Sequence, residues 1–356
     1  MSVVYKKLED VCEILDSRRV PITAKDRKAG AYPYYGANGL QDYVADYIFD
    51  DELVLLAEDG GNFGSKERPI AYRVSGKCWV NNHAHVLKAK PSIHVDYLCY
   101  ALMFYDTEGL VNGATRQKLT QAAMRQMVIP YRDMTEQLQI IEKISQIVRS
   151  IEKRKEELQL LDQLVKSRFI ELFGTIHDNR FGFGVVTLQD VSAPIKDGTH
   201  QTPTYTTDVE NGYKFLSSKD VTTGKVDWSH LKYIPEELHR ELYARISPRR
   251  GDILLAKNGT TGIAAIVDRD EVFDIYVSLA LIRPHGVDPT YLWAAINAAE
   301  TKQQFDASLK GIGVPNLHLG EIKKARIILP PMELQEQFAA FVEQTDKSKY
   351  YSITER

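Results

Sequence analysis

The longest regular pattern of apolar positions runs through the middle of the chain. Eight of ten seam positions, spaced alternately three and four residues apart, are apolar: Ile141, Ile144, Val148, Ile151, Lys155, Leu158, Asp162, Val165, Phe169 and Leu172. This spacing is typical of a coiled-coil helix. We expect the helix to begin after the turn at residues 130–133, to run to about Phe173 and to end at Gly174, a suitable residue after a helix.

A helix of about 40 residues spans ~60 Å, so a one-sided seam of that length favours a partner helix. The second half of the chain supplies a shorter apolar pattern at Leu334, Phe338, Phe341 and Val342. Antiparallel pairing of the two helices between two similar globular domains is the favoured interpretation. The alternative is a long helix that packs on its own domain.

Outside the helix, short apolar runs alternate with turns rich in glycine and asparagine. ELVLLAE and GDILLAK are each followed by such a turn, at residues 59–64 and 257–262. Runs of this length and composition predict strands, so the globular parts are expected to be mixed and rich in β-structure. The turns could let a backbone approach a phosphate or a DNA groove closely, but any hairpin also needs them.

The two halves of the chain repeat the same order of motifs. LEDV at residues 8–11 returns as LQDV at 188–191, and VLLAEDG at 54–60 returns as ILLAKNG at 253–259. Near the end of each half, IPYRDMTEQL at 129–138 matches LPPMELQEQF at 329–338 with a constant offset of 200 residues. This order indicates the duplication of a whole domain together with its following helix, and not a short-period solenoid.

Charge alone gives little support for a nucleic-acid partner. The formal net charge is -3; residues 1–175 hold 24 basic and 24 acidic residues, and the remainder holds 21 and 24. A DNA-binding role would therefore need local basic patches. Such patches occur at residues 18–28, 109–132 and 240–257, although ordinary fluctuation could produce any one of them.

Several enzyme and cofactor classes lack support in the sequence. The chain has no phosphate-binding GxxxxGK[ST] loop, no GxGxxG after a strand and no GxSxG turn. LPPM is similar to a methyltransferase motif but has Leu and Met at the two positions that need an acceptor and an aromatic ring. His83 and His85 form an H-x-H without a plausible third ligand, so core or polar roles are favoured over a metal site. The three cysteines are expected to be reduced core residues.

The order of motifs resembles the specificity subunit of type I restriction-modification systems. The resemblance is carried by DGTHQTPTY at 197–205, GYKFLSSKDVTTGKV at 212–226, GDILLAKNGTTG at 251–262, and VPNL followed by LPPMELQEQ at 314–337. RRVPIT at 18–23 and YPYYGANG at 32–39 are similar to another variety of the same domain. The resemblance covers essentially the entire chain.

The resemblance implies an α+β fold: two similar mixed α/β target-recognition domains, separated by long antiparallel coiled-coil-like helices in a pseudo-twofold internal repeat. We expect residues 1–130 to form the first recognition domain, 131–174 the long spacer helix, 175–330 the second domain and 331–356 a second, short helix. The C-terminal helix is shorter than the family pattern, which leaves a truncated product as an alternative.

No run approaches the ~18 apolar residues of a membrane span and the N-terminus lacks a signal-peptide pattern, so a cytoplasmic location is expected. The resemblance also implies a non-catalytic DNA-binding subunit. It would read a bipartite, asymmetric site on double-stranded DNA and dock two modification (methyltransferase) subunits and, through them, restriction/translocase subunits. No cofactor is expected in this chain; S-adenosylmethionine and ATP with Mg²⁺ are expected on the partner subunits. Two other classes stay open: a partner-dependent assembly scaffold, and a nuclease with a dispersed site that would cleave DNA without partners.

The predicted DNA contacts are polar and basic residues in the motifs and in the turns. In the first domain they are Arg18, Arg19, Tyr34, Tyr35, Asn38, Asn62 and Lys66, and in the second domain Lys196, Thr199, His200, Gln201, Thr202, Lys257, Asn258 and Thr260. Contacts to the DNA backbone are expected from Arg116, Lys118, Lys310, Asn316 and His318. In the alternative interpretation YPYYGANG is a packing motif, and only Asn38 within it is free to contact a base.

Overall fold

The structure is a computed structural model that describes residues 3–113, 116–309 and 315–354, with the side chains of the last helix described to residue 350. The chain divides into two compact units, Met1–Glu152 and Lys153–Arg356. None of the helices within the described residues is both long and apolar enough to cross a membrane.

Unit 1 contains one large sheet of six strands and several shorter strands outside that sheet. Its strands are β1 Val4–Lys7, β2 Cys12–Ile14, β3 Ala29–Gly36, β4 Gly39–Val44, β5 Phe49–Ala57, β6 Ala71–Val80, β7 Ala84–Ala89, β8 Val111–Asn112, β9 Lys118–Leu119 and β10 Val128–Tyr131. Its helices are α1 Leu8–Val11, α2 Val95–Met103, α3 Gln121–Gln126 and the start of α4 Met134–Phe173. The large sheet has the order β2-β7-β5-β6-β3-β4, and β1 pairs with β10. All neighbours in it are antiparallel except β3 and β6.

Unit 2 divides its strands among smaller sheets. Its strands are β11 Gly184–Thr187, β12 Lys196–Asp197, β13 Tyr213–Leu216, β14 Lys232–Ile234, β15 Ile253–Ala256, β16 Ala264–Ile266, β17 Phe273–Ile275, β18 Leu279–Ile282 and β19 Arg326–Leu329. Its helices are α5 Glu236–Arg245, α6 Pro289–Asn297, α7 Ala299–Ala307, α8 Leu319–Lys324 and α9 Met332–Thr354, together with the rest of α4. The sheets have the orders β12-β18-β15-β16, β14-β13-β17 and β11-β19.

The central strand of each unit is buried on both faces. In β5, Val54 and Leu56 belong to one apolar cluster while Leu53 and Leu55 belong to another. In β15 the residues alternate between two clusters in the same way. Side chains of a strand point alternately to opposite faces, so a strand covered on both sides is apolar at every position. This explains the uninterrupted apolar runs VLLA and ILLA.

The structure confirms the duplication but corrects its register near the end of each half. Helices α4 and α9 begin at Met134 and Met332, an offset of 198 and not 200 residues. Gln137 and Gln335 are both buried, and each donates its side-chain amide to the carbonyl five residues before it, at 2.8 Å. The identities at offset 200 were coincidental. The equivalent positions are defined by the matching hydrogen bonds of Gln137 and Gln335, and not by identical residues at a fixed offset.

The long helix ends where the sequence predicts. Gly174 follows α4 with a φ of 71°, which an L side chain rarely adopts. Within unit 2, Phe338 of α9 lies 5.5 Å from Phe169 and 5.6 Å from Phe173 between ring centroids. Farther along, Lys349 Nζ lies 2.7 Å from Asp162 Oδ1. As residue numbers rise in α9 they fall in α4, so this part of the pair is antiparallel.

The middle of α4 departs from the predicted seam. Val148 and Ile151 are 37% and 48% exposed, whereas Val165 is buried against the core of unit 2. At the other end, Ile140 and Ile141 pack on a core of unit 1. The apolar seam therefore serves a domain core near each end of the helix. The three cysteines are free and buried, as expected, and burial raises the pKa of Cys78 to about 11.

Candidate nucleic-acid interface

In unit 1 a short polar loop, Glu58–Gly60, follows the central strand β5. The N–H of Leu119 donates to the carbonyl of Glu58 at 2.7 Å, and an antiparallel bridge pairs Asp59 with Lys118. Gly60 has a φ of 62°, so the turn requires glycine. We call residues 58–60 together with 116–118 the first corner.

Unit 2 repeats this backbone arrangement after β15. The N–H of Leu317 donates to the carbonyl of Lys257 at 2.8 Å, and Asn258 forms an antiparallel bridge with Asn316. Gly259 has a φ of 76°. We call residues 257–259 together with 316–318 the second corner. The two corners share a backbone and differ in their side chains.

Glu58 places a partly buried negative charge in the first corner. Its carboxylate accepts from Arg19 Nη1 at 2.6 Å and lies 3.0 Å from Lys118 Nζ. Burial alone would raise the pKa of Glu58, but the hydrogen bonds from Arg19 and Lys118 outweigh burial and lower it. The carboxylate is therefore ionised at neutral pH and holds two cations beside the loop.

Asp16, Glu58 and His85 form a cluster whose ligand atoms lie within 4.8 Å of one another. His85 Nδ1 contacts Asp16 Oδ2 at 2.6 Å, and His85 Nε2 contacts the carbonyl of Leu119 at 2.9 Å. Burial would raise the pKa of Asp16, but its hydrogen bond and charge interaction with His85 lower it. Both ring nitrogens of His85 are thus already hydrogen-bonded to protein groups. The cluster connects the first corner to the core.

The carboxylate of Asp59 contacts two side chains at the surface of the first corner. Its Oδ1 lies 2.6 Å from Arg116 Nη2 and 2.7 Å from His83 Nδ1. The side chain of Asp59 is 18% exposed, whereas that of Arg116 is 60% exposed. A partly buried carboxylate thus orients an arginine that faces solvent.

The second corner has the opposite charge at the equivalent position. Lys257 Nζ lies 2.6 Å from Asp197 Oδ2, with 7% and 11% of the two side chains exposed. His200 Nε2 lies 3.2 Å from the same carboxylate oxygen. Burial would raise the pKa of Asp197, but the hydrogen bond and charge of Lys257 lower it. Glu58 with Arg19, and Lys257 with Asp197, are therefore ion pairs of reversed polarity.

The neighbouring amides of the second corner are incompletely paired. The side-chain oxygens of Asn258 and Asn316 are shielded from solvent and accept no hydrogen bond from the described residues. A shielded amide oxygen without a partner is uncommon in native proteins.

The predicted contact residues differ widely in exposure. The exposed ones are Arg18, Asn38, Lys66, Arg116, Lys118, Lys196, His200, Gln201, Thr202, Thr260 and His318. Arg19, Tyr35, Asn62, Asn258 and Asn316 are partly buried, and Tyr34, Thr199 and Lys257 are buried. Lys310 lies outside the described residues. The structure joins some of them to a corner: Asn38 donates to the carbonyl of Gly60, and both His200 and Lys257 contact the carboxylate of Asp197.

The prediction needs correction at the buried positions. Tyr34 is 1% exposed and its hydroxyl donates to the carbonyl of Ile22, so YPYYGANG contains a packing residue, as the alternative interpretation held. Lys257 is committed to its buried ion pair, and Thr199 is 6% exposed. A side chain without exposed surface cannot reach a base edge. Arg19 is similarly engaged, since its Nη1 donates to Glu58 and to the carbonyl of Ala84.

Sequence reasoning missed the acids that organise both corners. Asp59 and Asp197 were omitted because residue types that donate to bases were sought first. The sequence held a signal for such partners, because residues 58–60 read EDG and the equivalent residues 257–259 read KNG. A charge that reverses between two copies of one loop needs a partner of reversed charge in each copy.

Comparison with known proteins gives consistent results. A type I restriction enzyme specificity subunit from the archaeon Methanocaldococcus jannaschii is 23% identical over 372 residues, covering 96% of this chain and 85% of its own length. A protein of Haemophilus influenzae, also named as a type I restriction enzyme specificity subunit, is 28% identical over 381 residues, covering 99% of this chain and 90% of its own length.

Solved structures share the fold. The type I restriction-modification S subunit from M. genitalium superposes with a TM-score of 0.55 at 13% identity, covering 100% of this chain and 92% of its own. The sequence model for the type I restriction modification DNA specificity domain matches residues 2–161 and again residues 182–355. Two matches of one model agree with the repeated backbone of the two corners. The chain belongs to the family of type I restriction modification DNA specificity domain proteins and carries two copies of that domain.

Proposed function

We propose that this chain is the specificity subunit of a type I restriction-modification complex and that each domain contacts one half of a bipartite, asymmetric DNA site. The observation that carries the proposal is the pair of corners. Around one backbone arrangement, the exposed side chains are Arg116 and Lys118 in the first domain but Thr260 and His318 in the second. Base edges are distinguished by donors and acceptors, so a shared scaffold with different side chains suits two different half-sites.

The exposed members of each corner and its surroundings are the proposed DNA contacts. In the first domain these are Arg18, Asn38, Lys66, Arg116 and Lys118, and in the second domain Lys196, His200, Gln201, Thr202, Thr260 and His318. Asn258 and Asn316 are left out of this set, because their side-chain oxygens are shielded from solvent.

Catalysis is assigned to partner subunits. We propose that the chain has no catalytic role, that modification subunits dock on it with S-adenosylmethionine, and that restriction subunits supply ATP-dependent translocation and cleavage. A cytoplasmic location follows from this role. The names of the relatives support this division of labour, and Asp16, Glu58 and His85, the most metal-like cluster in the described residues, already bind protein groups.

The test measures DNA binding by the purified chain, by the modification subunits and by their complex, each with and without Mg²⁺. We expect weak binding by the chain alone, because the chain carries a net charge of -3, and tight, sequence-dependent binding by the complex. Cleavage by the chain alone with Mg²⁺ would support a nuclease. Binding by the complex without sequence preference would support a scaffold.

A further inference from the structure

Arg116 is more constrained than a contact to the DNA backbone requires. Its Nη2 lies 2.6 Å from Asp59 Oδ1, and the same oxygen holds the Nδ1 of His83 at 2.7 Å. No hydrogen bond joins its Nε or Nη1 to the residues that the structure describes. The carboxylate thus fixes one end of an exposed guanidinium and leaves its other donors available.

This ion pair contributes little to folding. An ion pair with one partner mostly in solvent adds little stability, because water screens it and holding the arginine costs entropy. In the pair of Arg116 with Asp59, the arginine side chain is 60% exposed. Orientation of the arginine is therefore a better account of the arrangement than stability.

The neighbouring glycine makes room for the guanidinium. A Cβ added to Gly60 would lie 3.3 Å from Arg116 Nε, a crowded contact. The φ of 62° at Gly60 also disfavours any other residue. Asp59 and Gly60 therefore act on the same arginine, one by holding it and the other by leaving space for it.

The charge balance of the first corner argues against a phosphate site. Arg116 and Lys118 each lie beside a carboxylate, that of Asp59 and that of Glu58. Phosphate attraction depends on an excess of positive charge, which is absent from these four residues. A guanine edge, by contrast, is neutral and offers N7 and O6 as two acceptors that suit the fork of an arginine.

We propose that Arg116 contacts a guanine in the half-site of the first domain and that Asp59 is the positioning residue for this contact. The inference rests on the proposed function and deepens it by naming the base. It changes the role expected for Arg116 from the sequence, which was a contact to the DNA backbone.

The test determines the methylated DNA motif in cells that carry the chain with its modification subunits and no other adenine methylation. Wild type is compared with Arg116→Ala, Arg116→Lys and Asp59→Ala. Arg269→Ala is the control, because Arg269 is also an exposed arginine beside an aspartate, with its Nε 3.5 Å from Asp268 Oδ1, and it lies outside the basic patches of the sequence. Melting temperatures of the purified variants confirm folding.

We expect each of the three first-domain variants to relax one guanine position in one half-site. The loss of discrimination at that position should be about 5- to 150-fold for Arg116→Ala, the range of one bidentate contact. Arg116→Lys keeps the charge but lacks the fork, so it should relax the same position. The other half-site and the Arg269→Ala motif should stay unchanged.

Three outcomes would overturn the inference. They are a relaxed position that is not a G·C pair, an unchanged motif in both Arg116 variants, and a uniform drop at all positions that Arg116→Lys restores, which is the behaviour of a phosphate contact. A wild-type complex that methylates no defined motif would instead contradict the proposed function itself.

Discussion

At the scale of single residues, the two domains differ most where their ion pairs reverse. Glu58 is held by Arg19 in the first domain, and Lys257 is held by Asp197 in the second. Exchange of one residue between the copies would place two like charges together in a shielded site, which is strongly unfavourable. Each loop therefore depends on its own partner segment.

The first prediction concerns Lys257. Lys257→Met removes the cation that lies 2.6 Å from the buried Asp197 carboxylate, so the unfolding free energy of the second domain should fall by about 3 kcal/mol. Lys302→Met is the control, because Lys302 and its partner Asp306 are both 50% exposed; its effect should stay below about 1 kcal/mol. Urea denaturation measures both. Equal effects would show that Lys257 has no special role in stability.

The second prediction concerns Asp274, which is 1% exposed and lies 2.7 Å from His239 Nδ1. Burial raises the pKa of Asp274 to about 6, although the hydrogen bond with His239 lowers it. The folded pKa lies above the unfolded value of about 3.9, so the stabilising contribution is complete below about pH 4 and is lost as the pH rises through about 6.

Asp274→Asn removes this titration but keeps an oxygen that can accept from His239. The melting temperature of the variant should therefore rise relative to wild type between about pH 4 and pH 7. Thermal melts across that range measure the difference. A difference that does not change with pH, or that falls, would contradict the prediction.

At the scale of elements, a buried glutamine joins each domain to its following helix. Gln335 accepts from the N–H of Asp288 at 2.9 Å and donates to the carbonyl of Pro330 at 2.8 Å. Gln137 makes the same two kinds of contact in the first domain, with the N–H of His94 and the carbonyl of Arg132. The start of each helix is thus tied to the start of another helix in the same domain.

The third prediction follows from these contacts. Gln335→Ala leaves a buried N–H and a buried carbonyl unpaired, and it should lower the unfolding free energy by about 2 kcal/mol. Gln303→Ala on α7 is the control, because Gln303 is exposed, and it should change little. Chemical denaturation compares the two. A loss at Gln335 no larger than at Gln303 would mean that the amide contacts are dispensable.

Elements with local signals were predictable, and long-range pairings were not. The end of α4 was accessible because an apolar seam and a glycine lie close together in the chain, at Leu172 and Gly174. The ion pair of Asp197 with Lys257 joins residues 60 positions apart, and no local pattern specifies it. The alignment of the two halves at an offset of 200 residues was wrong for a related reason. It matched identical residues, whereas the hydrogen bonds of Gln137 and Gln335 identify the equivalent positions.

At the scale of the whole molecule, a formal net charge of -3 predicts weak overall attraction to DNA. The fourth prediction concerns this weak attraction. Lys66→Ala combined with Lys196→Ala removes one exposed lysine from each proposed interface. The slope of log affinity against log salt should therefore become less steep by about 2.

The matched control is Lys88→Ala combined with Lys347→Ala. These lysines, one from each unit, are not among the proposed contacts and lie next to Asp51 and Glu343. Binding of a DNA duplex over a range of salt concentrations gives both slopes. A slope that changes equally in the two double variants would place the lysine contacts elsewhere.

The central claim is that each domain independently determines one half of the DNA site. The most direct measurement replaces residues 188–325, which lie between β11 and β19, with the matching segment of another family member and then maps the methylated motif in cells. The account predicts that one half of the motif changes while the other half stays as in wild type. A motif altered in both halves, or in neither, would contradict it.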